Sequence, residues 1–92
     1  MKKMKIRLAD YIANFLADHG VTDCFTVVGG GAMHLNDAFG HNERIHCTYN
    51  HHEQASAIAA EAYARLNNKI AALCVTTGPG GTNAITGVVG GW

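Results

Sequence analysis

The sequence alternates three short apolar runs with segments of helical periodicity, and this alternation constrains the fold more than any other feature. The runs lie at residues 24–28, 45–49 and 70–76, and each is rich in β-branched or aromatic residues or is nearly continuously apolar. Such runs are typical of strands covered on both faces. The gaps between them leave room for a crossover helix each, which predicts a parallel sheet with right-handed crossovers. We therefore expect an α/β fold, a three-layer doubly wound parallel sheet.

Four segments have the spacing of amphipathic helices. We predict them from Leu8 to a stop at Gly20, from Ala32 to Phe39 with a stop at Gly40, over residues 53–68, and after the Gly-Pro-Gly turn. In three of them we expect one apolar stripe to face the core. These stripes are Leu8, Tyr11, Ile12, Phe15 and Leu16 in the first helix, Ala55, Ile58, Ala59, Ala62 and Leu66 in the third, and Ile85, Val88, Val89 and Trp92 in the fourth.

The charged residues are distributed unevenly along the chain. Seven basic and seven acidic side chains give 92 residues a formal net charge of zero, which provides no electrostatic reason to expect nucleic acid or an anionic membrane as a partner. None of these charges lies in residues 70–92, but Gly-Pro-Gly-Gly and Thr82-Asn83 interrupt that segment and argue against a membrane span. We expect a cytoplasmic protein whose uncharged last quarter is covered by further residues, so that residues 1–92 form only the first half of a domain.

The cysteines and histidines do not form a pattern typical of metal sites. Cys24, Cys47 and Cys74 each lie in an apolar run and form no C-x-x-C pair, which predicts small buried side chains in a reducing compartment. The closest group of histidines, around His51 and His52, lacks the spacing of a helical zinc site. We therefore predict no metal ligands in this chain.

Three loops follow the predicted strands, at residues 29–32, 50–53 and 76–83. In open parallel sheets, ligands bind at the carboxyl ends of the strands. The glycine triplet of the first loop is compatible with a tight turn or with an anion site on backbone amides, and His34 replaces the last glycine of a dinucleotide fingerprint. The third loop lacks the Gly-Lys-Ser/Thr ending of a nucleotide-binding P-loop.

The second loop has two interpretations. Asn50 followed three residues later by Glu53 resembles a capping box, with Asn50 as the N-cap of the third helix. Alternatively, Glu53 is a carboxylic acid at the rim of the sheet. Partial burial would then raise its pKa and allow it to donate a proton near neutral pH.

Together the loops resemble the N-terminal, pyrimidine-binding domain of thiamine-diphosphate-dependent enzymes of the acetolactate synthase and pyruvate oxidase type. The matching stretches are residues 25–32, residues 51–57 leading to 61–65, and residues 76–87. The similarity extends from about residue 8 to residue 92. Many relatives have a proline before the paired glycines, where this chain has Gly29.

The resemblance implies roles for particular residues. In that family the glutamate matching Glu53 hydrogen-bonds N1′ of the cofactor's aminopyrimidine and shares a proton that favours its imino tautomer, so that the cofactor can be activated at C2. The backbone around Val28 and Gly29, together with Thr76, Pro79 and Asn83, would line the pyrimidine pocket. The cofactor would be thiamine diphosphate. Its magnesium and diphosphate would be held by a C-terminal domain with a Gly-Asp-Gly motif, which this sequence lacks, as it lacks the family's central domain.

We accordingly expect a fragment of a 2-oxo-acid decarboxylase or carboligase that is inactive alone. The resemblance implies a small-molecule 2-oxo acid as substrate and a homo-oligomeric parent, a dimer or tetramer, with active sites between subunits. The alternative is a small non-catalytic α/β module that binds an anion or docks onto a partner chain. Coding sequence that continues past Trp92 would favour the first hypothesis.

Overall fold

The computed structural model describes residues 7–91 and confirms the predicted alternation. The helices are α1 (Leu8–Asp18), α2 (Met33–His41), α3 (Glu53–Asn67) and α4 (Pro79–Gly91), with a short 3-10 turn at Gly30–Ala32. The strands are β1 (Asp23–Thr26), β2 (His46–Tyr49) and β3 (Ala72–Cys74), and each overlaps one of the predicted apolar runs. The second helix continues through Gly40 to His41 rather than ending at Phe39.

The three strands form one parallel sheet in the order β2-β1-β3, so β1 is central. Cys24 faces a core formed with α1 and α2, whereas the next residue, Phe25, packs its ring against Tyr63 of α3 at a centroid distance of 5.9 Å. Because successive side chains of a strand point to opposite faces, α1 and α2 cover one face and α3 the other. Helix α4 packs against α3. The fold is the expected three-layer α/β arrangement.

The buried side of α1 is centred on Ala9 and Ala13. The predicted stripe is therefore only partly right. Ile12 and Leu16 pack against the core, but the other three members are exposed: Leu8, Tyr11 and Phe15. Alanine side chains let the helix approach the sheet closely, which directs the larger neighbouring side chains outward.

The predicted stripes of α3 and α4 are largely exposed. The exposed members are Ala55, Ile58, Ala62 and Leu66 of α3 and Ile85, Val88 and Val89 of α4, and Leu66 is 86% exposed. Trp92 lies outside the described residues. The buried residues of the two helices are small: Ser56, Ala57, Gly80, Ala84 and Gly87. A Cβ on Gly87 would overlap the Cβ of Ala57 and lie 2.9 Å from its carbonyl carbon. The backbones of α3 and α4 thus pack almost in contact. Only small residues fit between them, so the bulky residues of the predicted stripes lie outside this contact.

The cysteines are unpaired, and Cys24 and Cys74 are buried as predicted, while Cys47 is half-buried. Burial raises the pKa of the Cys24 thiol to about 12, so this thiol is not ionised at neutral pH. Within residues 7–91, none of the helices has the length and apolar character needed to cross a membrane.

Candidate functional site

The candidate site lies at the carboxyl ends of β1 and β3. The chain leaves β1 through α2 to β2 on one side, then returns through α3 to β3 on the other side of β1. Such a switch point is where open α/β sheets bind ligands. The first and third loops meet here, because the backbone N–H of Gly31 donates a hydrogen bond to Thr76 Oγ1 at 2.9 Å.

The side chain of Thr76 is enclosed by three glycines. A Cβ on Gly29 would lie 2.5 Å from Thr76 Cβ, one on Gly31 would lie 2.7 Å from Thr76 Oγ1, and one on Gly80 would lie 2.8 Å from Thr76 Cγ2. Cβ atoms essentially never come this close to another heavy atom, so a side chain at any of these positions would force Thr76 or the glycine's own segment to move. The glycines therefore allow the first loop and α4 to close on Thr76 from two sides.

This packing and the backbone conformation exclude proline at position 29. Gly29 has φ −157° and ψ 156°, an extended conformation that proline cannot adopt because its ring fixes φ near −65°. A proline would also bring the Cβ for which Thr76 leaves no room. Proline could therefore not replace Gly29 without a change in the shape of the first loop.

The second and third loops meet at Glu53. This residue begins α3, and its Oε1 accepts a hydrogen bond from Asn83 Nδ2 of α4 at 3.2 Å. Its other oxygen, Oε2, lies 3.4 Å from the point where a Cβ on Gly80 would be. Two predicted site residues, Glu53 and Asn83, are thus in direct contact, and Gly80 links them to Thr76.

The electrostatics of Glu53 differ from the expectation. Its pKa is lowered, chiefly by a hydrogen bond from its own backbone N–H and next by the Asn83 amide, with a smaller contribution from His52. Burial acts in the opposite direction but is weaker, because the side chain is only partly buried. The prediction of a raised pKa is wrong for the chain as it stands. Glu53 is a carboxylate at neutral pH, because a helix N-terminus favours negative charge.

The N-cap of α3 is His52 rather than Asn50. The His52 Nδ1 accepts a hydrogen bond from the backbone N–H of Gln54 at 3.0 Å. Asn50 instead accepts a hydrogen bond from Ser56 Oγ at 2.8 Å, which ties the second loop to the buried side of α3. The capping-box interpretation is therefore wrong in its cap residue, although Glu53 does lie in the first turn of the helix.

The remaining predicted residues occupy the rim of the site. Val28 directly precedes the first loop and is 65% exposed. Pro79 is the first residue of α4, where its missing N–H costs no helical hydrogen bond. Both lie at the loops that meet at the switch point.

Two polar residues beneath the site were not predicted. Asn36 of α2 donates a hydrogen bond from Nδ2 to Thr26 Oγ1 at 2.9 Å, and Thr26 Oγ1 donates to the carbonyl oxygen of Cys74 at 2.8 Å. Thr26 is only 1% exposed. The sequence does contain a signal for it, since Thr26 is a polar residue within an otherwise apolar run.

The site is accessible from the surface, since Glu53 and Thr76 are partly exposed and Asn83 is exposed. Cavities of about 400, 330 and 350 Å³ lie elsewhere, and Glu53, Thr76 and Asn83 line none of them. Among residues 7–91, no three His, Cys, Asp or Glu side chains come together as metal ligands. What the site offers a ligand is a carboxylate, an amide and a hydroxyl.

Comparison with known proteins identifies related sequences. The family model described as "Thiamine pyrophosphate enzyme, N-terminal TPP binding domain" matches residues 6–92. The chain is 38% identical over 85 residues to an acetolactate synthase large subunit of Haemophilus influenzae, covering 92% of this chain and 15% of that protein. It is 36% identical over 92 residues to the Lactococcus lactis large subunit, covering 96% and 16% respectively. A chloroplastic acetolactate synthase of Arabidopsis thaliana is 35% identical over 80 residues, which are 87% of this chain and 12% of that protein.

Proposed function

Since the chain belongs to the thiamine pyrophosphate enzymes, through their N-terminal TPP binding domain, we propose that it provides the aminopyrimidine side of a thiamine diphosphate site. The enzyme concerned decarboxylates or joins 2-oxo acids, a class supported by the relatives named acetolactate synthase. The observation that carries the proposal is the hydrogen-bonded pair of Glu53 and Asn83 at the switch point of the sheet.

The chemical groups of this site fit an aminopyrimidine. That ring carries nitrogen acceptors and an exocyclic amino donor, and the chain presents Glu53, Asn83 and Thr76 as complementary partners. Gly80 contributes by having no side chain between Thr76 and Glu53 Oε2. When bound, thiamine diphosphate supplies the carbanion chemistry that no amino-acid side chain provides.

In this proposal the two oxygens of Glu53 have different tasks. Oε1 accepts the Asn83 amide hydrogen and is held in place, so Oε2 is the atom that exchanges a proton with a ligand. A ligand that covers this carboxylate removes water from it, which raises its proton affinity. We therefore expect the pKa of Glu53, which is lowered in the chain without ligand, to rise on binding, as holding a proton at neutral pH requires.

The rest of the catalytic apparatus lies outside this chain in the proposed enzyme. Magnesium and the diphosphate group are held by another domain or by a partner subunit of a dimer or tetramer, and the 2-oxo acid is a small molecule in solution. The three unpaired cysteines support a reducing compartment such as the cytoplasm. The chain alone has no turnover under this proposal.

The decisive experiment replaces Glu53 by glutamine in the enzyme that carries this chain. Glu53→Gln preserves the shape but cannot exchange a proton, and we expect turnover of a 2-oxo acid to fall by roughly 100-fold or more. Glu43→Gln is the matched control, because Glu43 is exposed on the turn before β2. Circular dichroism of each variant checks the fold. Turnover of Glu53→Gln within a few-fold of the unmodified enzyme would refute the proposal.

A further inference from the structure

We propose that Thr26 and Asn36 are positioning residues that fix the first and third loops relative to each other and so hold the cofactor site in shape. The inference rests on the proposed function, because the ligand it concerns is thiamine diphosphate. Neither residue contacts Glu53 in the hydrogen bonds described above. They act through the ends of β1 and β3, from which the two loops begin.

The two residues form a directed chain of hydrogen bonds. Asn36 Nδ2 donates to Thr26 Oγ1 at 2.9 Å, so the hydroxyl hydrogen is free to be donated onward to the carbonyl oxygen of Cys74 at 2.8 Å. The other end of the Asn36 amide, Oδ1, accepts from the backbone N–H of Gly29 at 3.5 Å. One side chain of α2 is therefore connected to β1, to β3 and to the first loop.

These hydrogen bonds lie directly beneath the switch point of the sheet. Thr26 and Cys74 are the last residues of β1 and β3 and are paired in the sheet. The first loop reaches Gly29 three residues after Thr26, and the third loop reaches Thr76 two residues after Cys74. Because Thr76 packs closely against Gly29 and Gly31, the distance between the first and third loops can change very little without loss of these contacts. A small change in the spacing of the ends of β1 and β3 would therefore separate Thr76 from Gly29 and Gly31.

Packing alone does not require a hydroxyl at this position. Valine has nearly the shape of threonine and would fill the same buried volume without burying a polar group. The Thr26 hydroxyl is instead matched by one donor and one acceptor, which makes it a specific connection between neighbouring elements. Because α4 begins three residues after Thr76 and carries Asn83, a displaced third loop would also move the amide that holds Glu53.

The test compares Thr26→Val, Thr26→Ser and Asn36→Ala in the enzyme that carries this chain. Thr26→Val removes the hydroxyl, and with it both of its hydrogen bonds, at nearly constant shape. We expect the Kd for thiamine diphosphate, measured by calorimetry, to rise roughly tenfold or more. Thr26→Ser should restore the affinity to within about twofold. Asn36→Ala should resemble Thr26→Val, and it replaces that variant if Thr26→Val does not fold.

A second readout does not depend on the cofactor. Amide hydrogen exchange of Gly31, whose N–H is bonded to Thr76, should accelerate roughly tenfold in Thr26→Val. Asn42→Ala is the matched control, because Asn42, at the C-terminal end of α2, donates a 2.9 Å hydrogen bond to Asn14 of α1. It should change neither Kd nor Gly31 exchange.

The outcomes separate this inference from the proposed function. Unchanged Kd and unchanged Gly31 exchange in Thr26→Val, or equal effects from Asn42→Ala, would overturn the positioning role while Glu53→Gln still abolished turnover. Absence of thiamine diphosphate binding by the unmodified enzyme would overturn the proposed function. In that case Gly31 exchange still decides whether Thr26 and Asn36 hold the loops.

Discussion

The packing of α4 on α3 makes the substitution Gly87→Ala a sharp test of the structure. The added Cβ would overlap the Cβ of Ala57 and lie 2.9 Å from its carbonyl carbon and 3.0 Å from the backbone nitrogen of Ile58. Backbone atoms cannot rotate away, so α4 must move. Overpacking of this kind costs about 1–3 kcal/mol, whereas exchange of glycine for alanine within a helix gains about 1 kcal/mol. We expect a net loss of up to about 2 kcal/mol in the free energy of unfolding.

The same substitution also has a functional consequence. Gly87 lies one helical turn after Asn83, so a displaced α4 carries the Asn83 amide away from Glu53 Oε1. We expect the affinity for thiamine diphosphate to fall together with stability. This coupling is specific to substitutions that shift the helix.

Urea unfolding followed by circular dichroism, with calorimetry for the cofactor, measures both effects. Gly81→Ala is the control in the same helix, because its Cβ would meet only the carbonyl oxygen of Thr76 at 3.9 Å, an ordinary contact. That variant should be neutral or more stable by up to about 1 kcal/mol. If Gly87→Ala proves as stable as Gly81→Ala, the close packing of α3 and α4 is refuted.

Two further predictions concern the loops. Gly29→Ala should weaken cofactor binding and expose the Gly31 amide to hydrogen exchange, because its Cβ would lie 2.5 Å from Thr76 Cβ. Gly30→Ala is the control and should do neither, because its Cβ would meet nothing within 4 Å. Equal behaviour of the two variants would contradict the enclosed position of Thr76. For Glu53, the lowered pKa means that hydrogen bonds to the carboxylate stabilise the folded state above the unfolded-state pKa and are lost as the pH falls through the folded-state pKa. Urea unfolding at a series of pH values without cofactor measures the difference in free energy of unfolding between the unmodified chain and Glu53→Gln. This difference should be constant near neutrality and shrink below about pH 4.5. A difference that widens on acidification would show that Glu53 is not held as a carboxylate.

Much of the site could be predicted from the sequence because its residues lie at fixed places in the strand–loop–helix order. Glu53 follows the second strand, Thr76 and Asn83 follow the third, and the carboxyl ends of parallel strands meet at one edge of the sheet. The pKa of Glu53 could not be predicted in the same way. It depends on the balance between burial and two N–H donors, the backbone N–H of Glu53 itself and the Asn83 amide, and the burial and the Asn83 contact are fixed only by the placement of α4 against α3.

The sequence by itself determined the alternation of helices and strands, the parallel α/β class and the family, because periodicity and short motifs act within a few neighbouring residues. Tertiary structure decided which side of each helix is buried. The bulky stripe of Ile58 and Leu66 is exposed, while Ala57 and Gly87 are in contact, because helix separation depends on the smallest residues at the crossing. It also decided the contacts of Thr26 with Asn36 and Cys74, since residues distant in sequence meet only when the sheet and α2 have come together.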